Sequence, residues 1–421
     1  MSASSSPRNI VVIGGGIQGT SVAFHLAESP SLPAGSTITI LEANKIASAA
    51  SGKGGGFMAR QWGDGSSTQT LHELSFDMYE ELCPKLGVES YRKLPVLSVS
   101  PGGNKKGKQD NKGKNKQLSE IFPTWLDGSI GRVSPLGFGD DTAQVTPKEF
   151  VEKMLEYVNQ PGKPGVNVVI GKCIGVECID GDDGDKIVKS VTYQDGEEEE
   201  KTLEADDVVV SAGPWTCQAE QWFDGAIQLP MEGVKSTSIV WKPPSDGDTV
   251  DAVALFCGED HRYGTHLEVY PRPDGSVYIC GIGGSDYITT AELQDSAFLF
   301  DCPPKDDRVE AASSAFQMMS DTYSTKGVLG TTQACMRPCP PDAKPYMGKV
   351  PGYSGCYING GHNCWGIAWS PAAGKAISEL VLDGHSRSVD LRPFDPARYT
   401  PKGGRGGRGR KKKGLSVGEQ W

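Results

Sequence analysis

With 421 residues the chain is long enough for more than one hydrophobic core, and its 37% hydrophobic and 23% charged residues are those of an ordinary globular protein. No run of eighteen or more apolar residues occurs, which excludes a membrane-spanning helix, and MSASSSPRNI lacks the apolar segment of a secretory signal, so a cytoplasmic protein is expected. The net charge of −11 is uneven: residues 101–117 carry six lysines against one aspartate, residues 402–414 carry seven basic residues, and the remainder stands at −23.

The apolar run at 10–13 reads as a strand buried on both faces, followed by glycines, a helix over 20–27 and a second strand over 36–42. This is a βαβ unit. Residues 49–57 are too glycine-rich for an element, and a helix is expected over 70–86. A strand over 95–100 leads into the lysine-rich insert 101–117, expected as a surface loop. Residues 146–159 carry Phe150, Val151, Met154, Leu155 and Val158 at helical spacing. Strands are expected at 166–170, 187–193 and 207–211. From about 229 the pattern becomes β-rich, with strands at 238–241, 267–270 and 277–280 and a helix near 309–323. A last strand at 356–359, a glycine loop over 360–366 and a helix over 371–382 repeat the opening plan. Eleven cysteines between Cys83 and Cys364, none in C-x-x-C spacing, point to reduced thiols and to neither a disulfide frame nor a zinc site.

Gly14, Gly16 and Gly19 form G-x-G-x-x-G between the first strand and the first helix, with Ile17 and Gln18 inside the motif. Glycines there let the backbone turn tightly and approach a pyrophosphate at the helix N-terminus. Glu42, followed by Ala43, ends the second strand where a carboxylate accepts hydrogen bonds from a ribose diol. The motif alone serves NAD and the adenosine half of FAD equally.

Ala50–Gly56, Ala212–Trp215, Met336–Gly348 and Gly360–Gly366 follow in order, and together with the N-terminal unit they resemble the FAD-dependent D-amino-acid oxidase superfamily, in particular glycine oxidase and monomeric sarcosine oxidase. Ala50-Ser51-Gly52-Lys53-Gly54-Gly55-Gly56 is similar to the A-S-G-R-N-G-G loop that lies along the ribityl chain and flavin, with Lys53 where arginine is common. The strand ending in Ala212-Gly213-Pro214-Trp215 is similar to the family's A-G-x-W strand, and Cys173 falls where a backbone group holds the adenine. Met336-Arg337-Pro338 through Gly348 resembles the L-R-P-x-T-x-D-x-x-P-x-I-G segment, whose arginine grips the substrate carboxylate. Gly360, Gly361, His362, Asn363, Cys364, Trp365 and Gly366 match the family's G-H-x-x-x-G loop, whose N–H groups favour negative charge on the flavin. His362 is expected to pack or bond the backbone and not to act as a base. Cys335 stands where sarcosine oxidases carry the cysteine joined to the flavin, whereas Arg337-Pro338 follows the non-covalent pattern, so a covalent link and a buried free thiol both stay open.

The resemblance implies an α/β fold: a Rossmann-like FAD-binding domain of the glutathione-reductase type, interleaved with an antiparallel β-sheet substrate domain. The FAD-binding domain is expected to comprise 8–84, 140–228 and 332–386, and the substrate domain 85–139 and 229–331. Residues 1–7 are expected to be a disordered terminus and 387–421 a tail carrying the basic segment 402–414. The implied activity is oxidation of a small amine or amino acid by hydride transfer to FAD, with O2 or another acceptor taking the electrons, and with Arg337 anchoring the substrate. Two other readings stand beside it: a flavin-fold module with little turnover that acts in binding or membrane trafficking, and an NAD-dependent dehydrogenase. The basic tail, Lys402 to Lys413, resembles arginine–glycine segments that bind RNA or anionic surfaces, or a nuclear address; it reads as solvated, with contact to anionic membrane, endosomal or other, as the next alternative. No firm nucleic-acid role and no firm integral-membrane role is expected.

Overall fold

The apolar run near the N-terminus forms the strand Asn9–Ile13, whose Ile10 and Val12 enter one core while Val11 and Ile13 enter another. Burial on both faces is what an unbroken apolar strand permits and alternating polarity does not. The computed structural model describes residues 6–103, 116–182, 184–243 and 250–401. Most of the N-terminal segment 1–7, the centre of the lysine-rich insert and the basic segment 402–414 lie outside the described residues.

Asn9–Ile13 sits inside a six-stranded sheet ordered Tyr346–Lys349, Cys356–Gly360, Asp207–Val210, Asn9–Ile13, Thr37–Glu42, Asn167–Ile170. All neighbours are parallel except the Tyr346–Lys349 edge, which runs antiparallel to Cys356–Gly360. The helices Ile17–Ala27, Gln69–Leu86, Pro147–Val158 and Ser370–Asp383 cover one face through Phe24, Tyr79, Phe150 and Ile377. The first and last of these helices pack closely, the Ser21 hydroxyl donating to the Ser370 carbonyl at 2.7 Å. On the other face lies an antiparallel meander of Lys172–Asp180, Lys186–Gln194 and Glu200–Glu204, joined by Val176, Val191 and Tyr193 to the second core.

A second, eight-stranded sheet is built on the pair Glu232–Lys242 and Val328–Cys339, antiparallel along their whole length. Its remaining strands pair antiparallel, with one exception to the all-antiparallel expectation: Val96–Pro101 lies parallel to Ala254–Cys257. Those two strands come from distant parts of the chain, so no tight hairpin dictates their direction. Side chains alternate across this sheet. Ile239, Leu255, Leu267, Val269, Val277 and Ile279 pack against the helix Asp306–Met319, which leaves their sequence neighbours on the opposite face, toward the first sheet.

Among the departures from the sequence expectation, three bear on the cavity and the core. Residues 49–57 are not wholly irregular: Ala50–Lys53 makes one helical turn and Phe57–Ala59 a short strand paired with Thr142–Gln144. Val328–Cys339 escaped notice as a strand because its first half is largely exposed and carries no apolar alternation. Residues 387–401, expected in the tail, pack onto the body in two short 3-10 turns, with Phe394 and Val389 buried in the first core. Among the described residues no helix is long and apolar enough to cross a membrane.

Candidate functional site

A cavity of about 310 Å³ runs along the carboxyl ends of the parallel strands and against the inner face of the eight-stranded sheet. Ligands of open α/β sheets bind at such strand ends.

Where the first strand turns into the first helix, Gly14 has φ of 109° and a Cβ placed there would lie 2.5 Å from the Ser211 carbonyl oxygen. The strand-to-helix turn and the neighbouring strand approach so closely that only glycine fits. Gly19 is needed for a different reason: a Cβ there would strike the Gly14 carbonyl, so this residue sets how tightly the helix closes on the strand and does not line the cavity. Glu42 accepts the Gly15 N–H at 2.7 Å through Oε2 and the Asn44 N–H at 3.0 Å through Oε1, and each oxygen keeps a lone pair for a further donor. Burial raises its pKa above the usual range for a glutamate. Ala43 and Cys173 complete this end, the Cys173 thiol pushed up to about 12 by burial.

Ser51 caps the helix N-terminus by accepting the Ile17 N–H at 2.8 Å, which ties the glycine-rich loop to the first βαβ unit. Gly16, Ile17, Gln18, Gly54 and Gly55 line the cavity, whereas Gly52 and Lys53 do not. Lys53 instead donates to the Ala334 carbonyl at 3.0 Å, and its own carbonyl accepts from Gln333 at 3.0 Å, so it pins the loop to the long strand Val328–Cys339. Ala212, Gly213 and Trp215 come next along the wall, the Trp215 indole N–H donating to the Ala297 carbonyl at 3.0 Å.

Gly361, His362, Asn363, Cys364, Trp365 and Gly366 all reach the cavity, the Asn363–Trp365 stretch forming a 3-10 turn. Gln18 bridges this loop to the first helix, donating to the Gly366 carbonyl at 2.6 Å and accepting from Asn359 at 3.3 Å. His362 is buried, and burial lowers its pKa to about 3, so the imidazole is neutral at working pH. Ser211 Oγ, Asn359 Oδ1 and His362 Nε2 are buried without a hydrogen-bond partner among the described residues, and all three side chains belong to the cavity wall. Such atoms are costly unless a polar molecule completes them, which fits a bound flavin dinucleotide.

The eight-stranded sheet supplies the other wall. Arg337 and Cys335 project from Val328–Cys339, joined by Glu268, Tyr270, Tyr278, Cys280 and Phe256 from adjacent strands. Burial holds the Cys335 thiol up at about 11, which favours the protonated form. Phe57 stacks on Tyr270 with ring centroids 5.5 Å apart, while Trp62 and Phe256 lie 5.2 Å apart. None of these aromatic residues, nor Glu268, was found from sequence. The signal available was the alternation Leu267-Glu268-Val269-Tyr270, whose even positions lie on the face opposite Leu267 and Val269 and reach the cavity.

A family model for FAD dependent oxidoreductases (DAO) matches residues 9–380. An oxidoreductase of Schizosaccharomyces pombe is 31% identical over 93% of this chain and 98% of its own length. Glycine oxidase of Pseudomonas aeruginosa is 30% identical over 51% of this chain and 50% of its own. The crystal structure of glycine oxidase from Geobacillus kaustophilus superposes with a TM-score of 0.68 at 16% identity, covering 93% of this chain and 99% of that one. The match decides the choice of dinucleotide in favour of FAD over NAD, and the chain belongs to the DAO family of FAD-dependent oxidoreductases.

Proposed function

We propose that the enzyme oxidises a small amine bearing a carboxylate, an amino acid in the simplest case, by removing a hydride from the carbon next to nitrogen. The observation that carries this reading is Arg337, a guanidinium set into an aromatic cavity wall on the long strand of the second sheet. A planar, permanently charged fork in a cavity wall is suited to two parallel hydrogen bonds with a carboxylate. The relatives named glycine oxidase support the same substrate class.

In this reading Gly14, Gly16 and the N-terminus of Ile17–Ala27 hold the pyrophosphate of FAD, Glu42 the ribose, the backbone at Cys173 the adenine, and the loops at Ser51–Gly55, Ala212–Trp215 and Gly361–Gly366 the flavin end. Bound FAD supplies the acceptor for the two electrons that leave with the substrate hydrogen. Arg337 fixes the carboxylate, which restricts the orientation of the carbon to be oxidised. Phe57, Phe256, Tyr270 and Trp365 exclude water, so the guanidinium acts at low dielectric. His362, neutral and buried, supplies no base.

The test is anaerobic mixing of the yellow holoenzyme with a panel of amino acids, their methyl esters and simple amines, followed by flavin absorbance. Bleaching by free acids and not by their esters is expected, and Arg337→Ala should retain FAD while losing at least about 100-fold in kcat/KM, two charge-assisted hydrogen bonds being removed. Equal bleaching by esters and acids, or unchanged kinetics in Arg337→Ala, refutes the reading. Return of the oxidised spectrum on admitting air would identify O2 as an acceptor.

A further inference from the structure

The inner face of the eight-stranded sheet carries a second charged group, Glu268, in the same cavity as Arg337. Glu268 pairs across the ladder with Cys280 and, on its other side, with Phe256, while Tyr270 pairs with Tyr278. Because side chains alternate in a strand, Val269 and Ile279 enter the core behind the sheet and the carboxylate is committed to the cavity. Its position is held by two donors from the same face: the Tyr270 hydroxyl and the Cys280 thiol, the latter at 3.5 Å. Among the described residues both reach Oε2, which leaves Oε1 for a ligand.

A carboxylate placed among Tyr270, Phe256 and Phe57 is costly to desolvate unless it meets positive charge. Arg337 supplies one source, and the field of Glu268 reaches that guanidinium. A bound cation supplies the other, and the aromatic faces around the carboxylate also favour one. One wall therefore presents a positive and a negative group to the same cavity.

We infer that Glu268 recognises the nitrogen of the substrate, accepting a hydrogen bond from its ammonium or amine through Oε1, so that the cavity selects zwitterionic amino acids over other carboxylates. The inference rests on the carboxylate-anchoring role of Arg337 proposed above. It makes Glu268 the specificity-determining residue for the amine, and Tyr270 and Cys280 the residues that position it.

The experiment measures binding and not turnover. Holoenzyme is titrated with matched pairs of ligands, glycine and acetate, alanine and propanoate, phenylalanine and 3-phenylpropanoate, and perturbation of the flavin spectrum gives Kd. For the tightest pair, Glu268→Gln should weaken the amino acid on the order of 10- to 100-fold, the loss of a hydrogen bond to a charged group, and leave the simple acid unchanged or bound more tightly, a negative charge having been removed from the cavity. Glu268→Asp, which keeps the charge, should restore part of the preference. Equal weakening of both ligands, tightening of both, or no change in either overturns the inference. Arg337→Ala is titrated in parallel: if it binds the simple acid as the wild type does, the anchoring role fails, whereas an Arg337 effect without a Glu268 effect sinks only the present inference.

Discussion

Replacing His362 with asparagine should change how stability depends on pH, by an amount that burial alone sets. His362 is 1% exposed, its Nε2 has no hydrogen-bond partner among the described residues, and burial lowers its pKa from 6.5 to about 3. The unfolded chain binds a proton below pH 6.5 that the native site rejects until about pH 3. The contribution is therefore fully present above 6.5 and is lost as pH falls toward 3, with a limiting slope of about 1.4 kcal/mol per pH unit. Between pH 7 and pH 5 the wild type should lose about 2 kcal/mol from this one group. Asparagine does not titrate, so His362→Asn should lose that much less over the same interval, whatever its absolute stability. Urea unfolding of the FAD-free protein, followed by tryptophan fluorescence at half-unit steps, reads the difference without a contribution from cofactor binding. Parallel curves for the two proteins would show that the native imidazole takes up its proton near pH 6.5 and would refute the argument from burial.

Gly14→Ala places a methyl group 2.5 Å from the Ser211 carbonyl at a φ of 109°; a cost of about 2 kcal/mol or more is expected, read as at least about tenfold weaker FAD binding by calorimetry. Lys53→Ala removes the bond to the Ala334 carbonyl and should lower stability by about 1 kcal/mol with flavin content unchanged; a colourless variant would instead place Lys53 in cofactor contact. Burial pushes the Cys335 thiol up to about 11 and so disfavours the thiolate; acid precipitation should release the flavin into the supernatant from the wild type and from Cys335→Ser alike, and yellow precipitate from the wild type alone would demonstrate a covalent bond.

The elements read most faithfully from sequence were those whose pattern is local. The helix expected over 70–86 is Gln69–Leu86, and the strand over 277–280 is Val277–Cys280. Elements held by distant partners were harder to read. Val328–Cys339 is exposed through much of its first half and owes its strand conformation to the ladder with Glu232–Lys242. The packing of residues 387–401 likewise depends on Phe394 finding a core formed by earlier helices.

By itself the sequence determined the family and the strand–turn–helix unit at its start, because a strand, a glycine turn and a helix N-terminus are contiguous and their geometry follows from backbone sterics at Gly14 and Gly19. Only the tertiary structure decided which side chains share the cavity. Glu268, Tyr270 and Phe256 belong to strands whose pairing and facing depend on long-range register, and a slip of one residue would send the same side chains into the core instead. Lys53 shows the converse: its motif position suggested the cofactor, but the carbonyl at Ala334, remote in sequence, draws its ammonium group to the long strand.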